Sequence, residues 1–346
     1  MVERKDAEEA IARGLAWLAT AQQEDGHWLG RPDGRDRPAF DVGVTGLALL
    51  AFQGAGHSAK VGPFRPAIGK GIEWLNGQMK PDGQFRYRTF YEQGIAAMAL
   101  CEAYALTRDP KVGRAAQRAL DHIQGEQPVH GGFRYRGAVE EDGGDLSCSG
   151  WQFMAIAIGA CAELGVRDAA FTRSRTLLDN TWRGNGGSAY LVRMPNAGSL
   201  ACSSIGLLAR AFLSDDEAHD EQVRQAAILL LDSETNNGKP VPGGKTGKLV
   251  KNLYYTFYSS HAMYQAGDAT WAAWDAMVRP PLVAAQVADG TDAQGRPLSG
   301  SWDPAKHKLG SATGRAYTTA MAVLCLEACY RFARVYPKEI GPPAEF

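Results

Sequence analysis

A glycine turn followed closely by a large side chain recurs along the chain and constrains its fold more than any other feature. It appears as Asp25–Trp28, Asp82–Phe85, Gly131–Phe133, Gly186–Tyr190 and Gly300–Trp302, with Gly243–Gly244 as a weaker sixth copy. Self-similarity at a regular period is the signature of a repeat architecture. The chain is therefore predicted to consist of copies of one supersecondary unit.

Each turn joins two kinds of helical segment. Before the turns, apolar residues such as Ile11, Leu15 and Leu18 fall three or four apart, which is typical of a surface helix with one buried stripe. After the turns the segments are apolar nearly all round, which predicts interior helices. These interior segments lie near residues 41–56, 89–107, 145–165, 198–214, 252–267 and 311–334. The sequence thus predicts six helical hairpins and no sheet-based core.

Six outer and six inner helices have two ways to bury their apolar faces: an open superhelical stack or a closed ring. An open stack normally ends in polar capping repeats, whereas the last inner segment, with Ala320, Val323 and Leu324, is as apolar as the middle ones. We therefore predict an all-α double barrel in which residues 1–346 form a single toroid domain around a central cavity.

Composition narrows the function classes. Of the 346 residues, 45% are hydrophobic and 22% are charged, as in a globular protein, and no apolar run reaches the roughly 18 residues of a membrane span. The net charge of -1 argues against a nucleic-acid partner. The six cysteines lie in apolar, helix-like stretches, and the N-terminus begins as an amphipathic helix rather than a signal peptide. A cytoplasmic location is expected.

The turns, the stretch Gly131-Gly132-Phe133-Arg134-Tyr135 and the segment Asp145–Gln152 resemble the prenyltransferase and squalene-cyclase repeat family over essentially the whole chain. The segments Gly300–Pro304 and Gly314–Ala320 are similar to those of single-toroid bacterial repeat proteins of planctomycete type. This resemblance implies an (α/α)6 toroid and terpene-cyclase-like or isoprenoid-transferase-like chemistry.

The family's catalytic motifs are only partly present. Class II cyclases protonate an alkene from an Asp-x-Asp-Asp motif, but the matching stretch Asp142–Asp145 has Gly144 at the position of the proton donor. Protein prenyltransferases bind zinc through Asp, Cys and His, whereas Ser147 and Tyr255 stand where the Cys and the His belong. We therefore expect no metal and no cofactor.

The parallel inner helices bring their N-termini to one mouth of the ring, where free amides favour anions. Asp41, Glu92 and Asp145 are placed there as candidate acid and base groups, and Arg134 and Arg315 as contacts to an anionic head group. The structural alternatives are helix caps for the carboxylates and solvated loop charges for the arginines.

Aromatic side chains on the inner segments suit an apolar or cationic ligand. His261 is a candidate cavity base, and the alternative for it and for the aromatics is core packing. The candidate ligand-binding residues on the inner segments are Tyr91, Trp151, Tyr254, Tyr255, Tyr258, His261 and Tyr317.

Three functions stay open. The leading hypothesis is an isoprenoid-type enzyme, or a derivative of one, that binds an elongated apolar and possibly anion-headed molecule, with Asp145 as the acid. The second is a non-catalytic module for a lipid, peptide or protein partner. The third is a carbohydrate-active toroid with two carboxylates, which requires a wide polar groove.

Overall fold

The computed structural model describes residues 4–31, 40–86, 89–136, 143–213 and 217–332, without the side chains of 217–219. Two concentric layers of helices alternate along the chain, as the sequence predicts. The outer helices are α1 (Lys5–Ala21), α3 (Arg65–Gly77), α5 (Pro110–Glu126), α7 (Asp168–Thr181), α9 (Glu217–Glu234) and α12 (Asp268–Ala284). The inner helices are α2 (Asp41–Gly54), α4 (Phe90–Thr107), α6 (Leu146–Cys161), α8 (Leu200–Leu213), α11 (Leu253–Gln265) and α13 (Gly310–Leu326).

Short elements decorate this double layer. Two one-turn helices, α10 (Lys248–Lys251) and α14 (Ala328–Arg331), flank inner helices, and a 3-10 turn spans Pro304–Lys306. The strands β1 (Ala189–Leu191) and β2 (Met194–Gly198) form an antiparallel hairpin before α8. Among the described residues, none of the helices is both long enough and apolar enough to cross a lipid bilayer.

The ring closes. Each inner helix packs against the next, and α13 packs against both α2 and α1. Arg4, just before α1, forms an ion pair with Asp275 of α12 at 2.8 Å and donates to the carbonyl oxygen of Leu326 at 3.1 Å. The predicted double barrel is therefore confirmed over the open stack. That all 346 residues belong to one domain stays a prediction.

The recurring turn clamps neighbouring repeats together, which explains its sequence. Gly131 has φ +81°, and a Cβ atom there would overlap the carbonyl oxygen of Arg173 in the next outer helix. Gly300, with φ +88°, meets the carbonyl of Arg13 in α1 in the same way, so the last turn seals against the first helix. Glycine is needed because it tolerates positive φ and lets the two backbones touch.

The large residue two positions after each of these glycines is locked to its own inner helix. Its backbone N–H donates to a side-chain hydroxyl there, with distances of 3.0 Å from Trp28 to Thr45, 2.8 Å from Phe133 to Ser149 and 3.2 Å from Trp302 to Thr319. The aromatic rings themselves are fully buried. The turn thus fixes the register between an inner helix and the two outer helices beside it.

Replacing Gly131 with alanine is expected to lower the free energy of unfolding by about 2 kcal/mol or more, because positive φ is strained for an L-residue and the added methyl group displaces α7. Gly69→Ala is the matched control, since a Cβ there meets none of the described atoms within 4 Å. This control should be neutral or stabilise by up to about 1 kcal/mol. Urea denaturation measures both, and equal effects would contradict the clamp.

Candidate functional site

A cavity of about 400 Å³ opens at the end of the ring where the inner helices begin. Volumes of this size are typical of small-molecule sites. Side chains from α2, α4, α6, α8, α11 and α13, and from β1, build its wall. Its aromatic and apolar members include Phe40, Val44, Leu47, Tyr91, Ile95, Tyr135, Trp151, Tyr190, Tyr254, Leu309, Tyr317 and Met321, and its polar members include Thr89, Glu92, Ser147, Ser199, Asn252, Lys308 and Thr313.

The polar side chains of the wall lie near its rim, beside apolar ones such as Phe40 and Leu309, and the deep part of the wall is apolar. Thr89, Ser147 and Asn252 lie at the starts of α4, α6 and α11. Leu47, Ile95 and Trp151 also line the cavity but lie about one to two helical turns further from the mouth. Asn252 is there for a local reason, because its side chain accepts from the N–H of Tyr255 at 3.3 Å, an amide that has no partner in the first turn.

Asp145 caps α6 and anchors a set of hydroxyl groups. It is fully buried, and its Oδ1 accepts from the backbone N–H groups of Ser147 (2.8 Å) and Cys148 (3.1 Å) and from the Ser147 hydroxyl (2.7 Å). Its Oδ2 accepts from the hydroxyl of Tyr190 on β1 at 2.5 Å. Ser147 and Tyr190 line the cavity, so Asp145 lies directly behind the wall.

Three further tyrosines extend this arrangement. The Tyr91 hydroxyl lies 2.5 Å from Ser147 Oγ, the Tyr254 hydroxyl donates to the Ser147 carbonyl at 2.8 Å, and the hydroxyls of Tyr135 and Tyr190 are 3.4 Å apart. Burial, reinforced by the nearby Asp145 carboxylate, raises the pKa of Tyr91 and of Tyr190 well above the ordinary phenol value, so both stay neutral at physiological pH. We call Tyr91, Tyr135, Ser147, Tyr190 and Tyr254 the hydroxyl cluster.

The other two predicted carboxylates also accept backbone hydrogen bonds. Glu92 is buried in the cavity wall, where Oε2 accepts from the N–H of Gly43 at 3.1 Å and Oε1 from that of Thr89 at 3.3 Å. Asp41 lies in the first turn of α2, accepts from the N–H of Gly30 at 2.7 Å, and approaches His27 Nε2 at 3.8 Å. Asp41 is not among the described wall residues.

Four of the predicted aromatic residues line the cavity, namely Tyr91, Trp151, Tyr254 and Tyr317. Tyr258 lies behind them, with its ring 5.4 Å from that of Trp151 and 5.2 Å from that of Tyr254. Tyr255 points to the outer layer, where its ring lies 6.3 Å edge-on from Trp274.

His261 is also outside the described wall. It is fully buried, and its Nδ1 lies 2.8 Å from the carbonyl oxygen of Phe257, one turn earlier in α11. Burial lowers the pKa of His261 to about 3, so the imidazole stays neutral at physiological pH. Its position is that of a core residue.

The predicted arginines do not line this cavity among the described residues. Arg315 donates to Ser301 Oγ at 3.1 Å and contributes to a separate groove beside Trp17 and Arg31. Arg134 lies half-buried in the turn after Phe133 and is absent from the described wall. The described wall cation is instead Lys308, which is exposed at the rim. Asp142, the first residue of the stretch that matches the cyclase motif, lies outside the described residues.

Sequence reasoning missed Tyr135, Tyr190 and Asn252 as wall residues. One signal was present, because Tyr135 and Tyr190 each stand two residues after the clamped position of successive repeats, Phe133 and Ser188. In the part of the chain that the structure describes, no group of three or more His, Cys, Asp or Glu side chains is placed to hold a metal ion.

Comparison with solved structures identifies the architecture of the helical ring. An inactive variant of a GH76 α-1,6-mannanase from Salegentibacter sp., in complex with α-1,6-mannotriose, covers 94% of this chain and 99% of its own at 12% identity, with a TM-score of 0.64. A variant of the type II terpene cyclase MstE from Scytonema, in complex with geranylgeranyl dihydroxybenzoate, covers 94% and 97% at 16% identity, with a TM-score of 0.62. The chain has the (α/α)6 toroid fold.

A GH76 α-mannanase from Bacteroides thetaiotaomicron is similar to the same degree, with a TM-score of 0.64, 13% identity and coverage of 95% of this chain and 97% of its own. The resemblance to terpene cyclases is thus matched by an equal likeness to mannanases, and identities this low establish the fold alone. No protein-family model and no curated protein matches the chain.

Proposed function

We propose that the protein binds an elongated apolar molecule of isoprenoid type in the central cavity, tail first, with its polar end at the hydroxyl cluster. The observation that carries this proposal is the apolar deep part of the wall, where Leu47, Ile95 and Trp151 lie beyond the polar side chains at the helix starts. Burying an apolar chain against such a surface is favourable by about 25 cal/mol per Å² removed from water.

The cavity volume indicates how much of a ligand can be buried. Its 400 Å³ are about thirteen times the roughly 30 Å³ that one water occupies in the liquid. A ligand with on the order of ten to fifteen non-hydrogen atoms of similar size therefore fills it. A ten- or fifteen-carbon prenyl chain suits this space.

The apolar residues in the deep part of the wall favour an isoprenoid over a sugar. A sugar carries hydroxyl groups on every edge, and each one loses its bonds to water on burial unless the site replaces them. Leu47, Ile95 and Met321 offer no such replacement. The likeness to the two mannanases is therefore a likeness of fold, and mannotriose serves as a negative comparison ligand.

Binding is better supported than acid-initiated cyclisation. Protonating an alkene needs a strong acid aimed at the double bond. Asp41, Glu92 and Asp145 all act as hydrogen-bond acceptors for backbone amides, and Asp145 also accepts from two hydroxyl groups. We therefore assign these carboxylates positioning roles and expect no cyclised product from farnesyl or geranylgeranyl substrates.

Ala201→Phe tests the proposal. Ala201 is half-buried in the wall at the start of α8, so a phenyl group there occupies the cavity without opening the core. Isothermal titration with farnesol should show at least tenfold weaker binding than in the unchanged protein. The control Ala201→Ser, which adds a single oxygen atom, should keep the affinity of the unchanged protein. Undiminished binding by a folded Ala201→Phe variant, or binding of mannotriose in place of farnesol, would refute the assigned ligand.

A further inference from the structure

We propose that the polar end of the ligand is a hydrogen-bond donor, bound more tightly as a protonated amine than as an alcohol, because the hydroxyl cluster presents lone pairs to the cavity. This inference rests on the proposed function and adds the chemistry of the head group. It follows from assigning each hydroxyl proton in turn.

The assignment begins at the buried carboxylate. The oxygens of Asp145 accept bonds, and the single hydroxyl proton of Ser147 goes to Asp145 Oδ1 at 2.7 Å. Ser147 Oγ then has only lone pairs to offer to Tyr91, whose hydroxyl oxygen lies 2.5 Å away. Tyr91 is therefore the donor in that bond. Its own proton is directed to Ser147, so Tyr91, which lines the cavity, has only lone pairs left for a ligand.

The second branch repeats this pattern. Tyr190 gives its proton to Asp145 Oδ2 at 2.5 Å, so Tyr135 is the donor in the 3.4 Å contact between the two phenols. Tyr254 gives its proton to the Ser147 carbonyl at 2.8 Å. Each tyrosine oxygen carries one proton and two lone pairs. With their protons engaged, Tyr91, Tyr190 and Tyr254 can only accept a bond from a ligand.

The surroundings of the cluster favour positive charge. The Asp145 carboxylate lies directly behind Ser147 and Tyr190, and the Glu92 carboxylate shares the same wall. The rings of Tyr91 and Tyr254 meet edge to face with centroids 6.4 Å apart, and ring faces attract cations. An ammonium group gains from these features and supplies the donors that the oxygens lack. A diphosphate meets lone pairs and like charge at the cluster, and the cation of the described wall, Lys308, lies away from it, beside the start of α13 across the ring from α6.

Tyr317, a wall residue outside the hydroxyl cluster, provides the control. The Tyr317 hydroxyl lacks a hydrogen-bond partner among the described residues, so its proton is not committed. Tyr317 lies on α13, across the ring from α6. Changing it should leave the head-group preference intact, while changes within the hydroxyl cluster should reduce it.

The experiment compares four ligands that share one fifteen-carbon chain: farnesylamine, farnesol, farnesal and farnesyl diphosphate. Isothermal titration at pH 7 should show farnesylamine binding at least tenfold more tightly than the diphosphate, and farnesol at least fivefold more tightly than farnesal, which accepts but cannot donate. Tyr190→Phe should reduce the amine preference at least fivefold, and Tyr317→Phe should keep it. If Tyr190→Phe does not fold, Tyr91→Phe makes the same test.

The possible outcomes separate the two proposals. Binding of all four ligands with equal affinity, or tightest binding of the diphosphate or the aldehyde, would overturn the donor assignment and leave the isoprenoid cavity standing. Binding of none of the four would refute both. An amine preference that Tyr190→Phe and Tyr317→Phe reduce equally would also overturn the role of the cluster, because only one of these hydroxyls is bonded to Asp145.

Discussion

Replacing Arg331 with methionine is expected to destabilise the fold by about 3–5 kcal/mol at pH 7, the usual result of removing one partner from a buried ion pair. The Arg331 side chain is only 1% exposed. One of its nitrogens lies 2.5 Å from Glu102 Oε2, and the other donates to the Leu50 carbonyl at 2.6 Å and lies 3.8 Å from Glu327 Oε2. Without the guanidinium, two buried carboxylates lose their compensating charge. Urea denaturation measures the loss.

The pH dependence of this loss provides an internal check. Burial raises the pKa of Glu102 and of Glu327 above the ordinary carboxylic-acid value, and Arg331 opposes that shift. A carboxyl group with a raised folded-state pKa contributes stability that is complete below its unfolded pKa of about 4.3 and is lost as the pH rises through the folded value. The free energy of unfolding that Arg331→Met loses should therefore be smaller near pH 4.5 and larger near pH 8.

An exposed arginine makes the matched control for that experiment. Arg224 pairs with Glu221 three residues earlier on α9, and both side chains are nearly half exposed. Solvent and salt screen such a pair. Arg224→Met should leave the unfolding curve unchanged. If the loss of unfolding free energy in Arg331→Met did not vary with pH, the buried carboxylates could not be its cause.

The fold could be predicted from the sequence because the sequence patterns that specify it are local and repeated. The turn glycines, such as Gly131, must have positive φ, and each inner helix must be apolar all round wherever it stands in the ring. Closure followed from the last of these helices being as apolar as the rest. The starts of the inner helices agree closely for the same reason: α2 begins at Asp41, as predicted, and α11 begins one residue later than the predicted start at 252. The predicted ends agree less well, since α13 ends at Leu326 rather than at 334.

The residues of the cavity wall were harder to predict from the sequence, because the wall depends on which neighbour each side chain meets. Tyr254 and Tyr255 are adjacent on α11, yet one reaches the cavity and the other faces Trp274 in the outer layer. A helix rotates by about 100° per residue, and the sequence of a wholly apolar helix does not mark which side faces inward. Tyr190 reaches Asp145 through the path of β1, which no local pattern specifies.

Asp41 and Asp145 illustrate the same limit within one motif. They occupy matching places in Asp41–Gly46 and Asp145–Gly150, and Thr45 and Ser149 at the next matching place both accept from the turn backbone. The third position is Gly43 in one copy and Ser147 in the other. That single hydroxyl, together with Tyr190, turns a helix-start aspartate into the anchor of the hydroxyl cluster.

Asp145→Ala is accordingly expected to cost about 3 kcal/mol of unfolding free energy, the sum of roughly 1 kcal/mol for the lost helix cap and 1–3 kcal/mol for buried donors left without an acceptor. Asp41→Ala is the control that the repeat itself supplies, since Asp41 is a quarter exposed and accepts from the single N–H of Gly30. It should cost roughly 1 kcal/mol. Asp145→Ala should also abolish the preference for farnesylamine over farnesyl diphosphate, which Asp41→Ala keeps. Equal losses of unfolding free energy in the two variants would mean that Asp145 is an ordinary helix cap and does not anchor the hydroxyl cluster.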